Sequence, residues 1–348
     1  MVSQEKRFPG QESAASCQSP ARFGLYGGKQ KNRASDPGPR RRLQAGFVLL
    51  ALVISLTFPS VLPAQMSCYP MECKEVLTFS WGVMPLYRFP SHVDGGGTLS
   101  VFSVIASAEV SKQITEKLGG GVRFGYVYDS YKFSGLTAFP VPRPWSSVHT
   151  FAIDGPLVYS LNDKWKALLI PTVQFSGEDG APFGDSLSYG GVVGVSHVFG
   201  PKVEIGIGIG VYYNLAQVTV YPYPIFIIEL DSRIRLTNPF PAGPAGPAGA
   251  VLSYLLNKHW SVGVGGAYNS PRFRLTQNGP IPKGIGEYQS VPIFAQLTYE
   301  HSPAFKVDAY GGVSLFNQIT IDDRDGEQLY RSQQDVAPLM GLRISGTF

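Results

Sequence analysis

The chain has 348 residues, 44% of them hydrophobic and only 16% charged, with 40 Gly, 18 Tyr and 21 Phe. That mixture is too apolar and aromatic for a disordered chain and too rich in glycine for a helical bundle. The formal charge of +4 is unevenly held: residues 1–64 carry nine Lys/Arg against three Asp/Glu, while residues 65–348 carry twenty against twenty-two; a near-neutral body lacks the basic surface nucleic acid requires, and nucleic acid is excluded as a partner.

In chain order, residues 1–39 are polar and show no apolar period, which predicts a disordered N-terminal extension. Residues 40–64 follow the order of a secretory signal peptide: Arg40, Arg41 and Arg42, then the apolar run Phe47 to Phe58, then Leu62-Pro63-Ala64, with cleavage after Ala64. Twelve apolar residues, at about 1.5 Å each, are too short to cross a hydrocarbon core of about 30 Å as a helix, so a signal is expected rather than an anchor. Residues 65–76 form a short periplasmic segment in which Cys68 and Cys73 can pair in an oxidising compartment, or Cys68 can carry lipid. Ser67 suits lipidation and Gln65 does not.

From residue 77 onward the hydropathy alternates with period two, the signature of strands with one buried face. Ile205, Ile207, Ile209 and Val211 share a face opposite Glu204, Gly206, Gly208 and Gly210; Val122, Phe124 and Tyr126 oppose Arg123, Gly125 and Asp129; Phe305, Val307 and Ala309 oppose Lys306, Asp308 and Tyr310. Short breaks near 111–118, 162–164, 200–202, 231–232, 257–259 and 301–303 alternate with longer Gly/Pro/Asp-rich ones near 84–97, 134–145, 177–186, 214–222, 239–248, 276–289 and 317–335. Tight turns at one rim and long loops at the other predict an all-β fold over 77–348: a transmembrane antiparallel up-and-down β-barrel of twelve to fourteen strands. The lower count drops the pair 217–230 and 233–238, where Pro222 and Pro224 cannot donate to a ladder and the second segment is brief.

Aromatic residues gather beside the short turns: Tyr159, Trp165, Phe199, Trp260, Tyr299 and Phe305 are predicted to form a girdle where chain meets lipid headgroups. The opposite face carries Glu109, Arg123, Asp129, Lys166, Glu204, Lys306, Asp308 and Arg343. These are expected to face the lumen, with mixed signs that argue against a strongly ion-selective pore. Gly206, Gly208 and Gly210 lie in a strand with no helix after them, so they read as room-making residues and not as a phosphate cradle. The stretch Gly243 to Gly249 reads as a proline-stiffened external loop, and Asp322, Asp323, Asp325 and Glu327 as a hydrated acidic loop whose order does not match a calcium loop. None of His92, His149, His197, His259 and His301 has a serine two residues on, so no hydrolytic pair is apparent; no catalytic residue, cofactor or metal is expected.

Met340, Leu342, Ile344, Gly346 and Phe348 alternate with Gly341, Arg343, Ser345 and Thr347. This resembles the C-terminal strand of bacterial outer-membrane proteins, in which a terminal aromatic is read by the barrel-assembly machinery, and Phe348 takes that part here. The span from about residue 75, with Tyr221-Pro222-Tyr223-Pro224 and Asn238-Pro239 near its middle, is similar to an outer-membrane β-barrel family of unknown function, porin-like in form, which supplies no catalytic residues. The resemblance implies a bacterial outer-membrane location, with outer-membrane lipid, lipopolysaccharide and the assembly machinery as partners. The expected activity is non-enzymatic: passive or facilitated passage of small polar solutes. A plugged structural or surface-ligand-binding barrel is the alternative, and a lipid-hydrolysing barrel the third reading.

Overall fold

A computed structural model describes residues 77–135, 139, 143–238 and 248–348. The polar extension, the signal peptide and Cys68 and Cys73 lie outside the described residues, as does most of the Gly/Pro/Ala stretch, residues 243–247.

Seventeen strand segments make the fold: β1 (Thr78–His92), β2 (Thr98–Gln113), β3 (Leu118–Ser134), β4 (Ser147–Asp154), β5 (Leu157–Ser160), β6 (Trp165–Glu178), β7 (Leu187–Val198), β8 (Val203–Asn214), β9 (Gln217–Glu229), β10 (Ile234–Thr237), β11 (Ala248–Leu255), β12 (Trp260–Tyr268), β13 (Arg272–Arg274), β14 (Ile285–Ser302), β15 (Phe305–Asp322), β16 (Gln328–Gln334) and β17 (Ala337–Thr347). Segments β4 and β5 share the neighbours β3 and β6, β12 and β13 both pair with β14, and β16 and β17 both pair with β15, so each couple is one interrupted strand. The result is fourteen antiparallel strands, each bonded to the next in sequence, and β17 returns to β1 with Ser80 opposite Thr347 and Arg88 opposite Leu339. Closure leaves the ladder without a free edge. At the seam the Phe348 and Phe79 backbones exchange hydrogen bonds of 2.8 and 3.0 Å.

Side-chain parity turns the period-two pattern into two surfaces. Ile205, Ile207, Ile209 and Val211 are exposed on the outside, whereas Glu204, Tyr212 and Asn214 of the same strand are buried inside. Parity reverses once in β15. Phe316 takes a positive φ of 51° beside a register shift against β14, and this bulge brings Ile319 and Ile321 inside, where both are 0% exposed.

Three of the long connections expected from sequence are short in the structure. The link expected at 84–97 is 93–97, that at 214–222 is Leu215–Ala216, and that at 317–335 is 323–327. Proline and glycine density suggested loops where the chain is strand, and β9 shows how the prolines are accommodated. Asn238 donates its side-chain amide to the Pro224 carbonyl at 2.6 Å and accepts the Phe226 amide at 3.0 Å, so these even-numbered groups face β10. The paired part of β10 reaches only as far as Ile227 of β9. Among the described residues, Pro222 and Pro224 therefore lack a donor only where no paired strand asks for one. The turn at Leu215 has a φ of 63°, a conformation that favours glycine; the leucine is buried, which offsets the strain.

The wall has one conspicuous defect, at Gly155–Pro156 between β4 and β5. Gly155 donates to the Pro171 carbonyl and Gly121 to the Pro156 carbonyl, each at 2.9 Å, and neither proline has an N–H to return.

Candidate functional site: a lumen closed by its loops

The short-turn end of the lumen carries a layer of charge in matched pairs. Arg123 meets Glu109 at 2.8 Å from the neighbouring strand, and Lys166 meets Glu204 at 2.8 Å. Glu204 also accepts the Ser196 hydroxyl at 2.6 Å, so β6, β7 and β8 are tied through one carboxylate. Lys306 lies 3.5 Å from Asp308, which accepts the Thr298 hydroxyl at 2.6 Å and the Gln296 amide at 2.9 Å. Arg343 stands opposite Asp308 in the ladder. Asp129 lies higher, buried against Ser103. Pairing at this depth keeps each ion in company that repays part of its desolvation.

The glycine wall is put to use. A Cβ on Gly210 would come within 2.6 Å of the Tyr221 ring, and Tyr221 stacks on Tyr212 with centroids 5.7 Å apart. The Gly-rich faces of β7 and β8 thus give the lumen space to aromatic side chains of β9. Those side chains, with Ile170 and Val192, form one apolar cluster; Val251, Phe294 and Leu339 form a second.

The largest cluster closes the opposite end. Phe139 and Trp145 come from the connection between β3 and β4, Phe273 and Leu275 from β13 and the residue after it, and they pack on Tyr131, Phe133, Tyr288, Ile319 and Ile321 of the wall. Trp145 stands edge-on to Tyr131, Phe133 and Phe273 at centroid distances of 5.7, 5.6 and 5.1 Å. Edge-on packing of this kind contributes beyond the area it buries.

A set of polar ties holds this plug. The Arg274 guanidinium collects carbonyl oxygens from three separate connections: Asp185 at 2.9 Å, Lys283 at 2.7 Å and Arg324 at 3.0 Å. Arg274 also bridges across the mouth to Gly177 of β6 in a single parallel contact. The Glu178 carboxylate accepts the Ser146 amide at 3.0 Å and the Thr276 amide at 3.1 Å, which fastens two more loop segments. Lys283 pairs with Asp185 at 2.8 Å, and this contact holds the Asp185 carboxyl below its ordinary range. On the face of β13 opposite Phe273, Arg272 meets Glu287 at 3.0 Å and Asp322 at 2.9 Å. Asp322 is therefore buried rather than part of a hydrated loop, because β15 runs on through it; Asp323 starts the turn and accepts the Asp325 and Glu327 amides.

On the outer face Tyr159, Trp165, Phe199, Trp260 and Phe305 are exposed near the short turns, and Tyr299 is half-buried. Trp260 lies 4.9 Å from Tyr299, and Trp165 lies 4.7 Å from His197, which also packs on Phe199. Phe348 is 67% exposed and stacks on Phe79. His149 sits between Tyr126 at 2.9 Å and Asp179 at 3.1 Å, and His259 contacts the Glu300 carbonyl at 2.9 Å. Ring, carboxylate and backbone partners fix these histidines. An apolar hollow of about 410 Å³ opens on the same face at the wall defect, among Val122, Ile153, Pro171, Val173 and Tyr189.

The sequence reading did not single out Arg88, Trp145, Phe273, Arg274 or Glu178. Their one advance signal is the presence of Phe139 and Trp145 in a proline-rich connection, where large apolar side chains have no reason to face water.

A closed antiparallel cylinder with an oily exterior and its paired charges turned inward defines the transmembrane β-barrel class. No family model matches the chain, and no curated protein does. Among solved structures it is similar to an outer-membrane channel from Pseudomonas putida F1, with 11% identity, a TM-score of 0.43, and coverage of 82% of this chain and 100% of that one. It is also similar to the toluene transporter TodX of P. putida, at 10% identity and a TM-score of 0.39 over 79% of this chain and 91% of that one, and to the KdgM porin, at 9% and 0.29 over 75% and 97%. The barrel assignment stands on its own ladder and surfaces.

Proposed function

We propose that this chain is a bacterial outer-membrane channel for small polar solutes, held shut in the state described by a plug of its own connections. The observation that carries the reading is the origin of the plug. Its central rings are Trp145, from the connection between β3 and β4, and Phe273, from a three-residue strand held in the wall by a short ladder to β14 alone. Such segments can leave the lumen while the rest of the wall ladder stays intact. Beneath it the lumen offers paired charges of both signs, which suit neutral or zwitterionic polar solutes better than a stream of one ion.

Outer-membrane residence is supported by the exposed Ile, Val and Leu of the outer face and by the aromatic residues beside the short turns, which would then face the periplasm with lipid and lipopolysaccharide around the belt. Phe348 at the seam would present the assembly signal.

Planar-bilayer recording tests the channel. Infrequent openings of low conductance are expected from the purified protein. Silence, both from this protein and from a variant lacking residues 139–145, would favour the second reading, a plugged barrel that binds ligands at its surface. The dense edge-on packing of the plug is what speaks for that alternative.

A further inference from the structure

Among the described residues the buried arginines of the mouth meet several partners each, although the Arg272 Nε, like that of Arg88, has none. Arg272 has two carboxylates and Arg274 three carbonyls. Arg88, which projects inward from β1 below the plug, is only 8% exposed. Among the described residues its guanidinium makes one hydrogen bond, from Nη1 to Ser103 Oγ at 3.3 Å, and its Nε is buried without a partner. Ser103 gives its own proton to Asp129, so the carboxylate meets the cation through a hydroxyl and not directly. A buried guanidinium left in this condition carries an unrepaid desolvation cost.

The surroundings say what could repay it. Tyr288 lies over the cation, its ring centroid 5.8 Å from the guanidinium carbon, and Tyr131 stands edge-on to Tyr288. Across the two neighbouring strands Arg88 is level with Val101 and Leu339, both buried. The free Nε/Nη2 edge presents two parallel N–H groups, the spacing that matches the two oxygens of a carboxylate. Apolar and aromatic groups on both sides disfavour a hydrated inorganic ion and favour an anion with an apolar body.

We infer that Arg88 is the anion-holding group of a lumen site for small organic carboxylates, with Tyr288, Tyr131 and Leu339 receiving the apolar part. The inference rests on the channel reading, since such a ligand must enter the lumen.

The test is calorimetric titration of the detergent-solubilised full barrel with sodium benzoate, with its neutral isostere benzamide, and with inorganic phosphate. Benzoate is expected to bind at one site, at least tenfold more tightly than either benzamide or phosphate. Arg88→Gln should weaken benzoate at least tenfold and leave benzamide unchanged, as expected for loss of a charged hydrogen-bond pair. Absence of benzoate binding, equal affinity for benzamide or phosphate, or an unaltered Arg88→Gln titration would overturn the site. If Arg88→Gln does not fold, the comparison of ligands on the unmodified protein decides alone. Swelling of proteoliposomes in a neutral sugar reads the channel separately: permeation without benzoate binding sinks only the carboxylate site, and binding without permeation sinks only the channel.

Discussion

Arg274 is the most economical place to challenge the idea of a removable plug. Arg274→Ala deletes three hydrogen bonds from a guanidinium to carbonyls on three different connections. Hydrogen bonds to charged groups contribute about 1.5–3 kcal/mol each, but the released carbonyls lie at a rim and recover water, so the sum is discounted to about 3 kcal/mol. At about 1.4 kcal/mol per tenfold, the open population should rise roughly a hundredfold. Planar-bilayer recording reads this as opening frequency, and proteoliposome swelling reads it as rate. Lys283→Ala, which removes one part-exposed ion pair, should raise opening only a few-fold. If Arg274→Ala folds as a heat-modifiable barrel and opens no more often than the unmodified protein, the guanidinium does not hold the mouth shut.

Three other outcomes are expected. Ile207→Arg places a cation on a side chain 65% exposed to the outside of β8 and should cost about 2–4 kcal/mol in urea unfolding from phospholipid vesicles, whereas Ser107→Arg, on an inward position of β2, should cost under about 1 kcal/mol; equal costs would mean the two faces are misassigned. The Asp185 carboxyl is held down by Lys283, so its contribution is fully present above the unfolded value near 3.8 and is lost as pH falls through the lower folded value; openings should become more frequent at strongly acid pH, and a flat profile there would exclude the pair as a tie. Deleting Phe348 removes the stacking on Phe79 and the exposed aromatic end, and should lower the yield of heat-modifiable barrel in cells; unchanged yield would remove it as an assembly signal.

The alternation of Ile205, Ile207 and Ile209 with glycine made strands and their two faces legible in the sequence, and an even strand number followed from the spacing of turns. What stayed hidden depends on long-range register. Tyr221-Pro222-Tyr223-Pro224 looks like a loop until the register shows that, among the described residues, no paired strand needs those amides. The Phe316 bulge turns Ile319 and Ile321 inward by a single unpaired residue, which no local pattern announces. Arg88 lies in the stretch 84–97, whose prolines and glycines mark it as a connection, so no alternation announces which way it faces. The plug joins residues such as Trp145 and Phe273, far apart in sequence, and periodicity carries no information about such meetings.

The proline pair in the wall has a mechanical consequence. With Pro156 and Pro171 each accepting a bond they cannot return, the ladder loses one bond of each pair along this short stretch. The wall is expected to yield first along this line, and the amides beside it to exchange deuterium ahead of their neighbours at the same depth.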